Sequence, residues 1–358
     1  MIDGKLFGLV RKPREFSYGS LWIRADWLQR LGLAEPTTLE EFRDVLRAFR
    51  GADPDGNGKK DTVGLTGSGL AAFDPIFGAF GIAGPGSIYA DGDKIVDGYN
   101  DPRVRQPLAF IRSLFDEQLV DPDLFGLKTA EARDRAFQGS AGAIMIGWDQ
   151  MTKPEFVRAQ QAAQPDSDWQ PIDVLDGPHG AGAMPTSPFG AVQGIPAALA
   201  DDEERLNALL DYVNHICTPE GSRLVMFGLE GSHYELDGDT VVPLPAMDED
   251  GAYFFAYQVA GRDENLYLEV KFPKQKTAWQ GARDRKRVTQ YESLVTPPDG
   301  FNTADADRFG KEQIVLFLTG ERSLDTYPDF LEQLNGQFDF AGYTESAREQ
   351  LAALGHPR

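Results

Sequence analysis

The chain has 358 residues, of which 41% are hydrophobic and 11% aromatic, and its formal net charge is −21. This length predicts two lobes rather than one compact domain, and the apolar content suffices for large cores and argues against disorder. The negative charge argues against binding to nucleic acids or anionic membranes, because their phosphates would repel it. No segment has the ~18 uninterrupted apolar residues that a membrane span needs.

Short apolar runs and turn residues predict the first elements. Residues 6–10 and 20–23 predict strands, and residues 26–31 predict a short helix that ends at Gly32. A longer helix follows, with Thr37 as its N-cap and the side chain of Glu40 completing a capping box. This helix stops at Gly51, and its apolar face consists of Leu39, Phe42, Val45, Leu46 and Phe49.

Residues 53–61 read Asp-Pro-Asp-Gly-Asn-Gly-Lys-Lys-Asp and predict a calcium loop with its sharp turn at Gly58. The predicted ligands are the side chains of Asp53, Asp55, Asn57 and Asp61 and the backbone carbonyl of Lys59. Gly64 stands where a sensor EF-hand has its bidentate Glu, and the Gly-rich residues 63–69 do not favour an exiting helix. We therefore expect a static structural site, with a metal-free Asp/Gly turn as the alternative.

The remaining elements alternate in type along the chain, which predicts an α/β architecture. A second capped helix is expected from Asp101-Pro102, and the single Cys217 is expected to be a buried thiol that forms no disulfide. The predicted strands are 143–146, 172–175 and 191–195; a Gly/Pro-rich connector spans 177–188; the later helices are 203–217, one from Thr218-Pro219, 305–319, 326–335 and 344–354.

Most enzyme signatures are missing from the sequence. It has no nucleophile elbow, phosphate loop or dinucleotide Gly pattern, and no pair of histidines at the helical spacing of a zinc site. The four histidines are far apart, and His215 is expected to be structural or at the surface. With 56 acidic residues, a carboxylate pair at glycosidase distance can arise by chance and says little about function.

Aromatic residues are a better indication of a ligand site. Trp148 directly follows a predicted strand, where ligands gather in open α/β sheets, and its indole would suit a sugar ring. Asp149 or Gln150 could then bind hydroxyl groups. A core role for Trp148 is equally compatible with this pattern. Tyr18 is expected in a loop facing a pocket, and the role of Trp279 stays open. We expect Trp22 and Trp27 in the core.

Several stretches together resemble the extracellular solute-binding proteins of ABC importers, in particular the carbohydrate binders that include alginate-oligosaccharide proteins with a calcium loop. The resemblance rests on residues 21–28 (Leu-Trp-Ile-Arg-Ala-Asp-Trp-Leu), 31–33, 36–38, the Asp-rich loop, 136–145, 218–221 and 227–234. It implies a type II periplasmic-binding-protein fold, α/β and two-lobed with a hinge. It also implies an extracytoplasmic, monomeric protein without enzyme activity that captures an oligosaccharide, binds structural Ca²⁺ and delivers its ligand to a membrane permease.

The same resemblance implies roles for individual residues. Trp148 matches the stacking Trp of the family, and Ser17 and Tyr18 fall on a segment that faces ligand. Asp149, Arg14 and Trp279 complete the expected ligand site. The calcium ligands map onto the loop described above, but Thr62 stands where the alginate binders have an acidic side chain. One ligand is therefore unaccounted for.

The resemblance also implies a division of the chain. Residues 1–14 are expected to form a hinge crossover, 15–183 the C-terminal-type lobe with the calcium loop, and 184–260 a remnant of the N-terminal-type lobe. Residues 261–358 would return to the lobe named first. The family has about a hundred residues, a signal peptide and a lipid-anchored Cys before this point, so we expect an incomplete first lobe and a fragment or late-assigned start.

Two other functions compete with the carbohydrate importer. One is a polysaccharide-degrading enzyme that uses a carboxylate pair, and the other is a surface glycan-binding or sensory protein without an importer. The sequence does not identify the sugar. A uronate ligand would need local cations, for which Arg11, Lys12 and Arg14 are candidates, although a solvated basic cluster explains them as well.

Overall fold

The computed structural model describes residues 8–11, 18–181, 184–186, 192–250 and 257–356. The chain divides into two compact units, a smaller one of Met1–Glu15 and Phe189–Thr277 and a larger one of Phe16–Pro188 and Ala278–Arg358. The last border lies further along the chain than the expected residue 260. A hydrogen bond of 3.1 Å helps to place residues after 260 in the smaller unit, because the Lys271 ammonium donates to the backbone oxygen of Met247 there.

Helices and strands alternate through much of the described chain. The helices are α1 Ala25–Leu31, α2 Leu39–Gly51, α3 Asp74–Ala79, α4 Arg105–Asp116, α5 Thr129–Phe137, α6 Trp148–Thr152, α7 Pro154–Ala163, α8 Glu203–Ile216, α9 Pro219–Phe227, α10 Ala246–Glu249, α11 Glu264–Lys271, α12 Lys276–Asp284, α13 Thr303–Thr319, α14 Tyr327–Phe338 and α15 Phe340–Ala353. The strands are β1 Leu9–Val10, β2 Gly19–Arg24, β3 Val63–Thr66, β4 Ile88–Asp91, β5 Lys94–Asp97, β6 Ala141–Gly147, β7 Trp169–Ile172, β8 Asp176–Gly177, β9 Gly180–Ala181, β10 Met184–Thr186, β11 Val192–Gln193, β12 Tyr234–Asp237, β13 Thr240–Pro243 and β14 Arg287–Thr289.

A four-stranded sheet in the order β3-β6-β2-β7 lies at the centre of the larger unit. β3 runs parallel to β6, and β2 runs antiparallel to both β6 and β7. Because β6 ends at Gly147 and is paired with the start of β2, the residues after β6 and those before β2 meet at one edge of the sheet. This edge carries the aromatic residues that the sequence indicates as ligand contacts.

Helix α2 covers the sheet with the apolar face that its sequence predicts. All five residues of that face are buried, and Phe49 contacts Trp27 edge-on with ring centroids 5.3 Å apart. Gly142 in β6 lets the two layers approach closely, because a Cβ atom on Gly142 would lie 2.1 Å from the Phe49 ring. The core predictions for Trp22 and Trp27 are confirmed, at 2% and 0% exposure.

The capping box of α2 is shifted by one residue from its predicted position. Thr38 is the N-cap, and its hydroxyl accepts from the backbone N–H of Glu41 at 3.2 Å. The Glu41 carboxylate accepts from the backbone N–H groups of Thr37 and Thr38 in return. Thr38 is also bridged to Asp176, which holds it in extended backbone and makes it the boundary residue.

Two further boundaries differ from the sequence prediction for local reasons. Helix α4 begins at Arg105 rather than after Asp101, because the Asp101 carboxylate accepts from the Arg103 backbone and holds a turn there. Strand β7 ends at Ile172 instead of beginning there. The Arg285 guanidinium donates to the Ile172 backbone oxygen at 2.9 Å. This oxygen belongs to the last residue of the strand, so a side chain binds the backbone at the point where the strand ends.

The C-terminal helices complete the core of the larger unit. Helix α13 packs against α4 and α14, and Tyr327, Phe330 and Phe317 form a buried aromatic group with Tyr99. The Tyr327 hydroxyl donates to the Tyr99 backbone oxygen at 2.8 Å, which satisfies its one polar atom inside the core. The three predicted C-terminal helices are thus confirmed within a few residues.

The smaller unit has a core around Phe227, Tyr234 and Tyr267, with the ring planes of Phe227 and Tyr267 nearly parallel. The prediction of a buried Cys217 is wrong, since this residue is exposed at the end of α8 and Ile216 is buried instead. No helix that the structure describes has the length and apolar content needed to cross a bilayer.

Candidate functional site

The Asp-rich loop follows α2 and is held together by its own side chains. Asp53 accepts from the backbone N–H groups of Asn57 at 3.0 Å and Gly58 at 2.8 Å. The Asn57 side-chain amide donates to Asp55 at 2.7 Å and to Asp61 at 3.1 Å. The four side chains predicted as calcium ligands therefore meet within one hydrogen-bonded turn.

The backbone of this turn depends on two glycines. Gly56 and Gly58 have φ angles of 75° and 82°, in the left-handed region that other residues rarely adopt. The Lys59 N–H donates to the Asn57 side-chain oxygen at 2.7 Å. The predicted sharp turn at Gly58 is present, and it carries Lys59 across the loop.

The carboxylates of the loop influence one another electrostatically. The Gly58 N–H, which donates to the Asp53 carboxylate, holds the pKa of Asp53 below its ordinary value. Burial raises the pKa of Asp55, and the nearby charges of Asp53 and Asp61 act in the same direction. Such crowded carboxylates are the donor set of a hard cation, which would neutralise them and use their oxygens.

The loop nevertheless lacks the geometry of a loaded metal site. No group of three or more His, Cys, Asp or Glu side chains in the described chain is placed to hold a metal ion. The Asn57 amide nitrogen points at Asp55 and Asp61, whereas a cation would require the amide oxygen there. The residue types fit Ca²⁺, and the side chains would have to rearrange around it.

Thr62 and Gly64, the two departures from the calcium-loop pattern, both face α2. The Thr62 hydroxyl donates to the Phe49 backbone oxygen at 2.7 Å, and Thr62 is 1% exposed. A Cβ atom on Gly64 would lie 2.7 Å from the Leu46 side chain, so this position has no room for a Glu. Packing against α2 therefore explains why neither position offers a carboxylate.

Two arginines that the sequence did not indicate hold the loop from outside. The Arg30 guanidinium on α1 donates to the Pro54 backbone oxygen, and the Arg50 guanidinium on α2 donates to the Lys60 backbone oxygen at 2.9 Å. Both bonds use backbone acceptors and leave the side-chain oxygens of the loop available. The loop is thereby attached to α1 and α2.

At the edge of the sheet, Tyr18 and Trp148 lie against each other. The Trp148 backbone N–H donates to the Tyr18 backbone oxygen at 2.9 Å, and the two rings are tilted at 52° with centroids 5.2 Å apart. Trp148 is fully buried and Tyr18 is partly exposed. The structure thus brings the two predicted aromatic residues together, with their rings in tilted contact.

The polar residues beside Trp148 form a small network. The Asp149 carboxylate lies 3.4 Å from the Gln150 amide nitrogen and 3.8 Å from the Lys153 ammonium. Gln150 also accepts from the Arg133 guanidinium at 2.8 Å. Asp149 and Gln150 therefore follow Trp148 on α6 with their side chains already engaged with neighbouring residues.

The other predicted ligand residues are less closely grouped. Trp279 lies on α12, is fully buried, and has the Arg283 guanidinium 5.8 Å from its ring centroid. Arg11 donates to the side chain of Gln258 at 2.5 Å. Ser17, Arg14 and Lys12 lie outside the described residues.

The larger unit also contains a cavity of about 500 Å³ that the sequence did not predict. Segments far apart in the sequence form its wall, including the loop after β3, helix α3, residues 83–87, Phe125 and helix α13. Phe77 and Phe125 contribute aromatic surface. The polar groups of the wall belong to Ser68, Asp74, Ser87, Gln290 and Lys311.

Most of these polar groups already have partners. Ser68 donates to the Leu127 backbone oxygen at 2.7 Å, and Ser87 accepts from the Gln290 amide at 2.8 Å. The Lys311 ammonium lies 2.8 Å from the Asp307 carboxylate. Asp74 differs, because no hydrogen bond or charge from a described residue affects it and burial alone raises its pKa to about 7.

The sequence matches no protein-family model, but it is similar to curated bacterial proteins. It is 29% identical to Lipoprotein LipO of Bacillus subtilis over 247 residues, which are 66% of this chain and 47% of LipO. It is also 29% identical to the polygalacturonan/rhamnogalacturonan-binding protein YtcQ of the same organism over 244 residues, again 66% and 47%. The chain thus spans about half the length of these relatives.

Solved structures resemble the chain over almost its whole length. An ABC-transporter-associated solute-binding protein from Bifidobacterium longum infantis that binds HMO superposes with a TM-score of 0.69 and 18% identity, covering 97% of this chain and 77% of that one. The calcium-free alginate-binding protein AlgQ2 gives 0.68 and 16%, covering 96% and 75%. The chain has the fold of the solute-binding proteins. The predicted fold class, α/β and two-lobed, is confirmed.

These neighbours also bear on the calcium loop. A third one, the fructo-nystose complex of an EF-hand mutant of FusA from Streptococcus pneumoniae, has a TM-score of 0.68 and 18% identity, covering 98% of this chain and 76% of that one. Two solved solute-binding proteins of this fold, AlgQ2 and FusA, are thus described with reference to calcium or to an EF-hand. Apart from LipO, the named relatives are described as binding proteins rather than as enzymes.

Proposed function

We propose that this chain is part of an extracytoplasmic solute-binding protein that captures an oligosaccharide for an ABC importer. The observation that carries the proposal is the Tyr18–Trp148 pair at the strand-end edge of a solute-binding fold. Two adjoining aromatic rings offer apolar surface to the faces of sugar rings, and nearby Asp149 and Gln150 offer hydrogen bonds to hydroxyl groups. The names of YtcQ and FusA, which bind polygalacturonan or rhamnogalacturonan and fructo-oligosaccharides, support a carbohydrate ligand.

The burial of Trp148 defines what ligand binding would require. Since the indole is fully buried and contacts the partly exposed Tyr18 ring, the side chains over it, with Tyr18 among them, have to move before a sugar can stack on Trp148. A Tyr side chain rotates about two bonds and needs no backbone movement. Ser17 belongs to the proposed site through family resemblance, and Trp279 and Arg14 are proposed as further contacts, Arg14 as a cation for an acidic sugar.

Calcium is assigned a structural role in this proposal. The side chains of Asp53, Asp55, Asn57 and Asp61 and the Lys59 carbonyl would hold the ion, which would neutralise the crowded carboxylates. Because Arg30 and Arg50 attach the loop to α1 and α2, an ordered loop would stiffen both helices against the sheet. The ion would not touch the sugar.

The partners follow from the same function. We propose that a membrane permease receives the sugar, that the binding protein acts as a monomer, and that the full-length protein is anchored outside the cytoplasm as a lipoprotein. The name of LipO supports the last point. The negative charge of −21 supports the absence of nucleic acid as a partner.

Saturation-transfer NMR with pooled plant and algal oligosaccharides in calcium tests the proposal. Transferred signal with unchanged anomeric peaks over hours is the expected result. New reducing-end peaks would establish a polysaccharide-degrading enzyme instead, and the absence of transfer from every sugar would refute carbohydrate binding. Measurements in parallel on a protein without added calcium would show whether the loop affects affinity.

Two variants test the aromatic contacts. Trp148→Phe keeps a buried ring and should fold, whereas Tyr18→Leu removes the adjoining ring with little loss of packing. Each should weaken sugar binding, Tyr18→Leu by up to about tenfold because it removes a stacked aromatic worth on the order of 1 kcal/mol, and Trp148→Phe by less because a smaller ring remains. Tyr212→Leu, at an exposed position on α8, is the matched control and should bind like the unmodified chain. Unchanged affinity in the first two variants would remove both rings from the site.

A further inference from the structure

Asp74 is distinctive among the groups that line the cavity of the larger unit. Its side chain is partly buried at the start of α3, and the described residues offer it neither a hydrogen-bond donor nor a cation. A poorly hydrated carboxyl without partners is costly in a folded protein. Such a group in a concave site is a candidate for ligand contact.

The rest of the wall shows what chemistry the ligand would have. Phe77, Phe125 and Leu70 form apolar surface, while the Gln290 amide nitrogen is used by Ser87 at 2.8 Å and the Ala83 backbone oxygen at 3.3 Å. The amide oxygen of Gln290 then remains as a second acceptor in the wall that also contains the Asp74 carboxyl. A ligand that fits must therefore present an apolar face and several hydrogen-bond donors, which describes a sugar ring with its hydroxyl groups.

The charges around the cavity determine which sugars it would accept. Among the lining residues that the structure describes, Lys311 is the one cation, and it forms an ion pair with Asp307. Glu292, close to the cavity through Ser87, is a second acid; its carboxylate accepts from the Ile88 N–H at 2.5 Å. A carboxylate on the ligand would meet these acids without a free cation among the described lining groups, and this repulsion is strong where water is scarce.

We propose that this cavity is a sugar subsite in which Asp74 accepts ligand hydroxyl groups and selects neutral sugar units against uronates. The inference rests on the proposed carbohydrate-binding function and adds the class of ligand and the residue that selects it. A carboxylate that accepts hydroxyl donors makes charge-assisted hydrogen bonds, which are stronger than those of a neutral amide. Asp74→Asn keeps the shape of the side chain and removes its charge.

Calorimetry at pH 8 with matched oligosaccharides tests the subsite. The probes are galactan and galacturonan trisaccharides, and xylotriose with its glucuronic-acid-substituted counterpart, each measured with and without Asp74→Asn. The unmodified chain should bind the neutral member of a pair at least about tenfold more tightly than the acidic one. Asp74→Asn should weaken neutral binding by about tenfold and bring the two members within about threefold of each other.

Two contrary results would distinguish a failure of this inference from a failure of the carbohydrate-binding function on which it rests. Equal or tighter binding of the acidic member, unaffected by Asp74→Asn, would overturn the inference and leave carbohydrate binding intact. Failure of all four sugars and of the pooled oligosaccharides to bind would overturn both. Asp93→Asn, at an exposed position between β4 and β5, is the matched control for the lost charge and should change neither affinity nor selectivity.

Discussion

The hydroxyl of Thr62 donates a hydrogen bond of 2.7 Å to the backbone oxygen of Phe49, so the residue after the last predicted calcium ligand faces α2. A sequence comparison alone would invite the substitution of an acid at this position to complete the metal site. The structure argues against that design, because Thr62 is 1% exposed and its neighbour is an acceptor, not a donor.

Thr62→Asp should therefore destabilise the protein rather than tighten calcium binding. A carboxylate placed against the Phe49 oxygen would be buried without a donor, at a cost on the order of 3 kcal/mol. Thr62→Val, which loses one hydrogen bond and keeps the shape, should cost about 1 kcal/mol. Urea unfolding gives both values, and calorimetric calcium titration gives the affinities. Tighter calcium binding by Thr62→Asp at unchanged stability would mean that position 62 faces the loop.

Calcium should stabilise the unmodified chain and fail to stabilise a loop variant. Asp55→Asn removes a charge from the crowded carboxylates while keeping one oxygen, so it should abolish most of the gain in Tm on adding millimolar calcium. The measurement is thermal unfolding in chelator and in calcium. Asp93→Asn should retain the full gain. An equal calcium response of the two variants would show that the loop is a metal-free turn.

Asp74 should make stability depend on pH in a way that Asp74→Asn does not. Burial raises the folded-state pKa to about 7, above the ~3.9 of an unfolded Asp, so the folded chain keeps a proton that the unfolded chain releases. The stabilisation from this group is complete below about pH 4 and is lost as pH rises through about 7. At pH 8, Asp74→Asn should be the more stable by on the order of 4 kcal/mol, with convergence near pH 4.

Urea unfolding at pH 4.5, 6, 7 and 8 follows this difference directly. Other buried acids, such as Asp97 and Glu292, have raised pKa values too, but they are common to both proteins and cancel in the comparison. Parallel stability curves for the two proteins would show that the Asp74 carboxyl is well hydrated, and the argument for its role in the cavity would lose its physical basis.

The sequence predicts those features of the structure that depend on residues close together in the chain. The apolar face of α2 and the turn at Gly58 follow from neighbouring residues, and both are confirmed. The capping box was misplaced because Thr37 and Thr38 each precede a Glu by three residues, so the local pattern fits either. The bridge between Thr38 and the distant Asp176 decides between them, and no local pattern reveals such a contact.

The candidate site shows the same limit. Trp148 is predicted as a ligand contact because it directly follows a strand, and Tyr18 because it lies in a short loop before one. The sequence did not indicate Asp74 as a candidate ligand residue. The cavity that it lines is formed by segments as far apart in the sequence as Ser68, Phe125 and Lys311. The Asp-Pro pair at the start of α3 signals a helix start and nothing about burial. The pKa of the Asp74 carboxyl is raised by the packing of distant segments around it, which the local sequence does not show.

The last prediction concerns the packing of α2 on the sheet. Gly142→Ala would place a Cβ atom 2.1 Å from the Phe49 ring, so either the ring or the strand must move, at a cost of about 2–3 kcal/mol. Gly51→Ala is the matched control, because nothing lies within 4 Å of its Cβ position at the end of α2, and it should gain up to about 1 kcal/mol. Adding Phe49→Leu to Gly142→Ala should cost less than the sum of the two single changes, because the smaller side chain makes room for the methyl group. Strictly additive free energies of unfolding would mean that Gly142 and Phe49 are not in contact, and the layer spacing that positions the Trp148 edge would need another explanation.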